Sequence, residues 1–189
     1  MHIQQGLPTD VFASANMAHM QALVDEEQIQ RPVVFAGNTL AVVYNEAYAP
    51  ILNTVADIGA VKRLVLGVEN VPIGIYTTQM LEKIATEVGA GFQEKVRARV
   101  VSYEKNVRLV RAKVELGEAD AAIVYSTEAQ RSTGLSHLSI PDEFQVPIHH
   151  SMGVIRGAKN AEGAQLWMDF VRSEIGQASL REHGFKVFP

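Results

Sequence analysis

Two segments of the chain carry backbone amides that could hold an anion. Between Glu69 and Gly74, proline suits the first helical position, so the Ile73 amide falls in a first turn, where amides have no partner within the helix. Asn106 is a natural N-cap, which puts the Val107 amide at the start of another helix, in front of the positive end of its dipole. Tyr125 ends an apolar run and offers a neutral phenol that can donate a hydrogen bond. Two amides and a phenol suit a tetrahedral dianion.

Other chemistries find less support. The adjacent residues His149 and His150 would point to opposite faces of a predicted strand, and none of the six histidines has a metal-ligand partner at i+3 or i+4. We therefore expect no site for a bare metal cation and no cofactor. The absence of cysteine excludes disulfides and cysteine nucleophiles. Ser14, Ser126 and Ser151 lack the G-x-S-x-G setting of a nucleophile elbow. Helix starts are common, however, and Tyr125 could equally be an ordinary aromatic residue at the core edge.

The elements that would position these groups alternate along the chain. Strands are predicted over 10–15, 33–36, 40–44, 61–67, 100–103, 121–125 and 147–155. Helices are predicted from residue 17, from residue 72, over 107–116 and over 163–175, the last with Leu166, Phe170 and Val171 facing inward. A turn is expected at Gly37-Asn38. The alternation predicts an α/β fold with mostly parallel sheets, in which ligands gather beyond the carboxyl ends of the strands.

Composition limits the partners. The 189 residues are 47% hydrophobic and 20% charged, and the formal net charge of −4 provides no basic field to attract nucleic acid. No stretch approaches the roughly 20 apolar residues of a membrane span. The first residues lack the basic and apolar regions of a signal peptide.

Four motifs occur together in a recognisable order. Residues 4–15 have the pattern Q-x-G-x-x-x-D-V-F-A-S-A, residues 37–40 read G-N-x-L, and residues 71–76 read V-P-x-G-x-Y. The longest motif runs from Asn106 to Thr127. With these four motifs the chain resembles the periplasmic molybdate-binding proteins, the capture subunits of ABC importers. Gly184-Phe185 also resembles the C-terminal end of these proteins.

The resemblance implies a class II periplasmic-binding-protein fold, in which two lobes close around molybdate or tungstate. It assigns residues 1–44 and 147–189 to the first lobe and 45–146 to the second. It further implies that Ile73 and Val107 are amide donors, that Tyr125 is a hydroxyl donor, that a membrane permease is the partner and that the protein works in the periplasm. A branched side chain at Ile73, where many relatives have alanine, could narrow the site.

The same family has two further serine ligands in an N-terminal strand-helix-strand segment, and this chain begins after both. We therefore expect an incomplete first lobe, weakened binding and self-association. Two other functions stay open: an anion-sensing effector domain of a regulator, which no helix-turn-helix or basic segment accompanies, and an enzyme, for which no nucleophile-base pair is present. A truncated form with little binding activity is a further alternative.

Overall fold

The apolar runs form nine strands and seven α-helices in a computed structural model that describes residues 8–29 and 31–188. Residues 4–7 of the first motif lie outside this part of the chain. The strands are β1 (Val11–Ser14), β2 (Val33–Asn38), β3 (Leu40–Tyr44), β4 (Leu64–Gly67), β5 (Val100–Glu104), β6 (Ala121–Tyr125), β7 (Ser136–Ser139), β8 (Ile148–Val154) and β9 (Lys186–Val187). The helices are α1 (Met17–Asp25), α2 (Pro72–Val88), α3 (Gly91–Arg97), α4 (Val107–Glu115), α5 (Ser126–Gln130), α6 (Ala161–Arg172) and α7 (Glu174–Glu182).

The first of two units contains the chain up to Asn38 and from Ile148 onward. Its sheet has the order β1-β8-β2-β9, and every described pairing in it is antiparallel. Helix α1 packs Met20 and Leu23 with Ile29 in a buried cluster. The expectation of a mostly parallel sheet is wrong here, because β8 returns between β1 and β2 and runs opposite to both.

The second unit contains residues 39–147 and a mixed sheet with the order β5-β4-β6-β3-β7. Strand β4 is parallel to β5 and β6, whereas β3 is antiparallel to β6 and β7. The parallel strands are those joined by helical connections, as right-handed crossovers require. The prediction of a mostly parallel sheet therefore describes only the β5-β4-β6 part.

The division between the units falls before β3, not after it as the assignment of residues 1–44 and 45–146 proposed. Gly37 and Asn38 do not form a turn, because β2 continues through Asn38 and β3 then begins in the other sheet. All five residues of β3 are buried, and the strand lies between β6 and β7 in the sheet. A buried strand with two neighbours belongs to the unit of those neighbours.

The predicted closing helix over 163–175 is two helices, which meet at Ser173. Ala164 and Met168 are the buried residues of α6, whereas Leu166 is 65% exposed and Phe170 56% exposed. The inward orientation predicted for Leu166 and Phe170 is therefore wrong. Within the described ranges, no helix is both long enough and apolar enough to cross a bilayer.

Candidate functional site

The three residues predicted to bind an anion lie at one edge of the second sheet. Strands β5, β4 and β6 are parallel neighbours, and their last residues are Glu104, Gly67 and Tyr125. We call this the carboxyl edge. Gly67 pairs with Glu104 in the β4-β5 register, so the two strands end side by side. Helices α2, α4 and α5 follow these strands directly, which brings three helix starts to the same edge.

Helix α2 begins with two uncapped amides. Its N-cap residue, Val71, makes no side-chain capping bond, and Pro72 at the first position has no amide hydrogen. The Ile75 amide is the first to donate within this turn, to the Val71 carbonyl at 3.0 Å. Among the described residues, the amides of Ile73 and Gly74 have no hydrogen-bond acceptor. They are therefore available to an anion in front of the helix.

Two glycines let this helix start lie against the end of β4. A Cβ atom on Gly74 would lie 2.0 Å from the Val68 carbonyl oxygen, and one on Gly67 would lie 2.6 Å from Cγ2 of Ile73. Ile73 as a whole residue is only 2% exposed, so its side chain is buried. It is thus packed between the helix and the strand and does not narrow the space in front of the helix, as its branched shape had suggested it could. Gly74 serves close packing, and that packing fixes the Ile73 amide.

Helix α4 has an N-cap that leaves its first amide unused. The Asn106 side chain accepts from the Leu109 amide at 3.0 Å, and the Asn106 carbonyl accepts from Val110 at 3.2 Å. The Val107 amide donates to no acceptor in the part of the chain that the structure describes. Its side chain packs on a buried cluster that includes Val110 and Val124. The side chain of Val107 therefore anchors the helix, and its amide faces the carboxyl edge.

Tyr125 is half-buried at the end of β6, where it pairs with Leu40 of β3. Its ring contacts that of Tyr76 edge to face, with 6.5 Å between centroids. Burial, and secondarily the neighbouring Tyr76, raises the pKa of Tyr125 above its ordinary value. The phenol therefore stays protonated at neutral pH and can donate a hydrogen bond.

Sequence reasoning missed three polar groups at this edge. The hydroxyls of Thr39 and Ser126 lie 2.6 Å apart, and the Ser126 amide donates to the Thr39 carbonyl at 2.8 Å. These bonds tie the start of β3 to the residue after Tyr125. Glu104 brings a carboxylate, which accepts from the Ser102 hydroxyl. The pKa of Lys113 on α4 is raised first by Glu118 and also by Glu104, so Glu104 lies within electrostatic reach of that helix.

An ion pair joins the two helices that flank Tyr125. Arg111 of α4 contacts Glu128 of α5 at 2.8 Å, and both side chains are largely buried. Arg111 also contacts Glu115 of its own helix at 3.2 Å. Because Arg111 lies one turn after Val107 and Glu128 one turn after Tyr125, this pair fixes the spacing between the two helix starts.

Two of the histidines pack against aromatic rings. His150 lies between the rings of Phe35 and Phe185, at centroid distances of 6.2 and 5.4 Å, and His149 contacts the ring of Phe188. No group of three or more metal-ligating side chains occurs among the residues that the structure describes.

A separate cavity lies in the first unit. It has a volume of about 560 Å³, and its lining includes Asp10, Glu26, Glu27, Arg156 and Lys159. The Arg156 guanidinium contacts Glu27 at 3.1 Å. The lining thus has three carboxylates and two cationic side chains, and one of the cations, Arg156, is paired with Glu27. This cavity is poorly suited to an anion, so the carboxyl edge remains the candidate site.

Comparison with known proteins identifies the family. Residues 1–186 match the family described as bacterial extracellular solute-binding protein. The chain belongs to this family. Its members bind solutes, which confirms the interpretation of a binding protein rather than an enzyme.

Two curated relatives match nearly the whole chain. A putative ABC transporter substrate-binding lipoprotein of Bacillus subtilis is 27% identical over 190 residues, which are 97% of this chain and 69% of the relative. The molybdate-binding protein of Escherichia coli is 27% identical over 202 residues, which are 98% of this chain and 73% of the relative.

Solved structures agree on the fold. The substrate-binding domain of a putative molybdenum ABC transporter from Clostridium difficile has a TM-score of 0.81 and 25% identity, over 99% of this chain and 80% of that one. The sulfate-binding protein of Mycobacterium tuberculosis has a TM-score of 0.78 and 15% identity, over 98% and 71%. The predicted periplasmic-binding-protein fold is thus confirmed, but the fold alone does not select the anion.

Proposed function

We propose that the chain captures molybdate, and equally tungstate, as the substrate-binding subunit of an ABC importer. It would work in the periplasm and deliver the anion to a membrane permease. The observation that carries the proposal is the convergence of three neutral donors, the Ile73 and Val107 amides and the Tyr125 phenol, at the ends of three adjacent parallel strands. The site needs no cofactor, since the oxyanion itself is the cargo.

Neutral, fixed donors favour an anion that stays fully deprotonated. Molybdate and tungstate are divalent at neutral pH and accept hydrogen bonds at every oxygen, so amides and a phenol can satisfy them without a counter-charge. Phosphate carries a proton at this pH and needs an acceptor. The two amides cannot accept that proton, and the phenol is assigned as a donor. This donor set therefore disfavours phosphate.

The Escherichia coli relative supports the choice among dianions, because it is named as molybdate-binding and covers nearly the whole chain. The solved sulfate-binding protein shares the fold at lower identity, so sulfate is the competitor to test. Sulfate has the same charge but is smaller. Because the donors are held in fixed positions by packed helix starts, they cannot all come within hydrogen-bond distance of a smaller anion.

Calorimetric titration with molybdate, tungstate, sulfate and phosphate at equal ionic strength tests the proposal. We expect molybdate and tungstate to bind with similar affinity, and sulfate and phosphate to bind at least about tenfold more weakly, a difference of about 1.4 kcal/mol. Sulfate binding as tight as molybdate binding would contradict the assignment of the substrate.

We further propose that the first unit self-associates. Strand β1 is at the edge of its sheet and pairs only with β8 in the described part of the chain. Exposed apolar side chains accompany it on the same unit, with Val34 at 39%, Leu166 at 65% and Phe170 at 56%. Open strand edges and apolar surface both favour association between copies. Light scattering over a range of concentrations would reveal this, and a monomer at every concentration would refute it.

A further inference from the structure

Tyr76 joins the two sides of the candidate site. It lies on α2 one turn after Ile73, and its half-buried ring meets that of Tyr125 at an interplanar angle of 64°. Edge-to-face rings at such distances attract each other beyond their apolar burial. The contact therefore connects the helix that offers the Ile73 amide to the strand that offers the Tyr125 phenol.

The Tyr125 ring needs such a support. The backbone around it is held by β3 pairing and by the bonds between Thr39 and Ser126. The side chain is different, since its hydroxyl makes no hydrogen bond to any residue in the described ranges. With two rotatable bonds and no polar tether, the orientation of the phenol depends on packing.

We propose that Tyr76 is a positioning residue for anion binding: its ring holds the Tyr125 ring so that the Tyr125 hydroxyl is directed beyond the carboxyl edge. This inference rests on the function proposed above. Positioning by a residue of α2 has a specific advantage, because the same first turns then set both the Ile73 amide and the phenol. Donors that are fixed before binding do not have to be ordered by the ligand.

The surroundings of Tyr76 are consistent with this role. Burial raises the pKa of Tyr76 above its ordinary value, so the residue brings no negative charge towards a dianion. The edge-to-face contact with Tyr125 is made by its ring. A phenylalanine at this position should therefore preserve the effect, whereas an aliphatic residue should not.

The test compares Tyr76→Leu and Tyr76→Phe, each in the native background and in a Tyr125→Phe background, by calorimetric titration with molybdate. We expect Tyr76→Leu to weaken binding by about threefold to tenfold, the range that an aromatic pair contributes. Tyr76→Phe should retain most of the affinity. In the Tyr125→Phe background, Tyr76→Leu should cause no further loss, because no hydroxyl remains to be positioned.

Tyr48 provides a matched control, since it is a tyrosine of the same unit with no aromatic contact among the described residues, and its hydroxyl donates to Asp120, which directly precedes β6 at the end of that strand opposite to Tyr125. Tyr48→Leu should leave binding unchanged. An equal loss from Tyr76→Leu in both backgrounds would overturn the proposal, as would a loss from Tyr76→Phe as large as that from Tyr76→Leu.

A measurement without ligand separates this inference from the proposed function. Near-ultraviolet circular dichroism reports aromatic rings held in fixed surroundings. Tyr76→Leu should reduce the tyrosine signal of the unliganded protein by more than Tyr103→Leu does, because Tyr103 is 46% exposed and has no aromatic contact among the described residues. The far-ultraviolet spectrum should stay unchanged. If the native protein bound no molybdate, the proposed function would fail. An unaltered near-ultraviolet spectrum in Tyr76→Leu would instead show that Tyr76 does not hold the ring of Tyr125.

Discussion

Replacing Gly74 with alanine would push the start of α2 away from β4. The added Cβ would lie 2.0 Å from the Val68 carbonyl oxygen and 2.8 Å from that of Gly67, whereas ordinary contacts begin at 3.4 Å. Both neighbours are backbone atoms, which cannot rotate away. The first turn of the helix would therefore have to move by more than about 1 Å, and the Ile73 amide would move with it.

Two effects follow from this displacement. Overpacking of this kind costs about 1–3 kcal/mol of folding free energy. Misplacing the Ile73 amide would weaken a hydrogen bond to a charged ligand, which is worth about 1.5–3 kcal/mol, so the affinity for molybdate should fall about tenfold or more. Ile73→Ala differs, because it keeps the amide and removes only packing atoms, and it should lower stability more than affinity.

Urea unfolding and molybdate titration of Gly74→Ala measure the two effects. Gly91→Ala is the matched control, because a Cβ there would meet nothing within 4 Å and Gly91 lies in the same unit. The control should keep both stability and affinity. If Gly74→Ala behaved like the control, then close packing of Gly74 would not be what fixes the helix start, and the argument for a pre-positioned Ile73 amide would be lost.

Three further outcomes are expected. Tyr125→Phe should weaken molybdate binding by about tenfold or more, whereas Val107→Ala should retain affinity within about threefold because alanine keeps the amide; equal losses would contradict the backbone assignment. Hydrogen bonds from Arg63 hold the pKa of Asp120 below its usual range. Asp120→Asn should therefore lower the free energy of unfolding in urea by about 1–2 kcal/mol at neutral pH. Part of that difference should disappear as the pH falls below about 3.9, where the native carboxylate also becomes protonated. Burial, and secondarily the neighbouring His149, lowers the pKa of His150. Its contribution to stability should therefore be complete above about pH 6.5 and decline below it. His150→Phe should make the melting temperature less dependent on pH in that lower range.

The donors of the candidate site could be located from sequence because their positions follow local rules. Proline at a first helical position and asparagine at an N-cap identify the starts of α2 and α4 within a few residues. An apolar run of strand length identifies β6 and its last residue, Tyr125. The structure places all three at the carboxyl edge, since parallel strands joined by helices must end on the same side. Their role in binding molybdate stays a prediction.

The partners and the directions of the strands could not be predicted in the same way. The apolar runs of β2 and β3 look alike in sequence, yet β2 pairs with β8 and β9 while β3 pairs with β6 and β7. Periodicity records which residues are buried and carries no information on which strand lies alongside. The prediction of a turn at Gly37-Asn38 was wrong, because β2 continues through Asn38. Glycine and asparagine are also tolerated at the end of a strand.

The contacts that orient the site depend on that strand order. Tyr76 and Tyr125 are far apart in sequence and meet because α2 follows β4 and β4 lies beside β6. Thr39 reaches Ser126 because β3 runs antiparallel to β6, with Leu40 opposite Tyr125. Local sequence thus determines which groups can donate a hydrogen bond, whereas the order of the strands determines how firmly each donor is held. A substitution that removes a donor should therefore change the affinity directly, and one that loosens a cross-strand support such as Tyr76 should act only while the donor it supports is present.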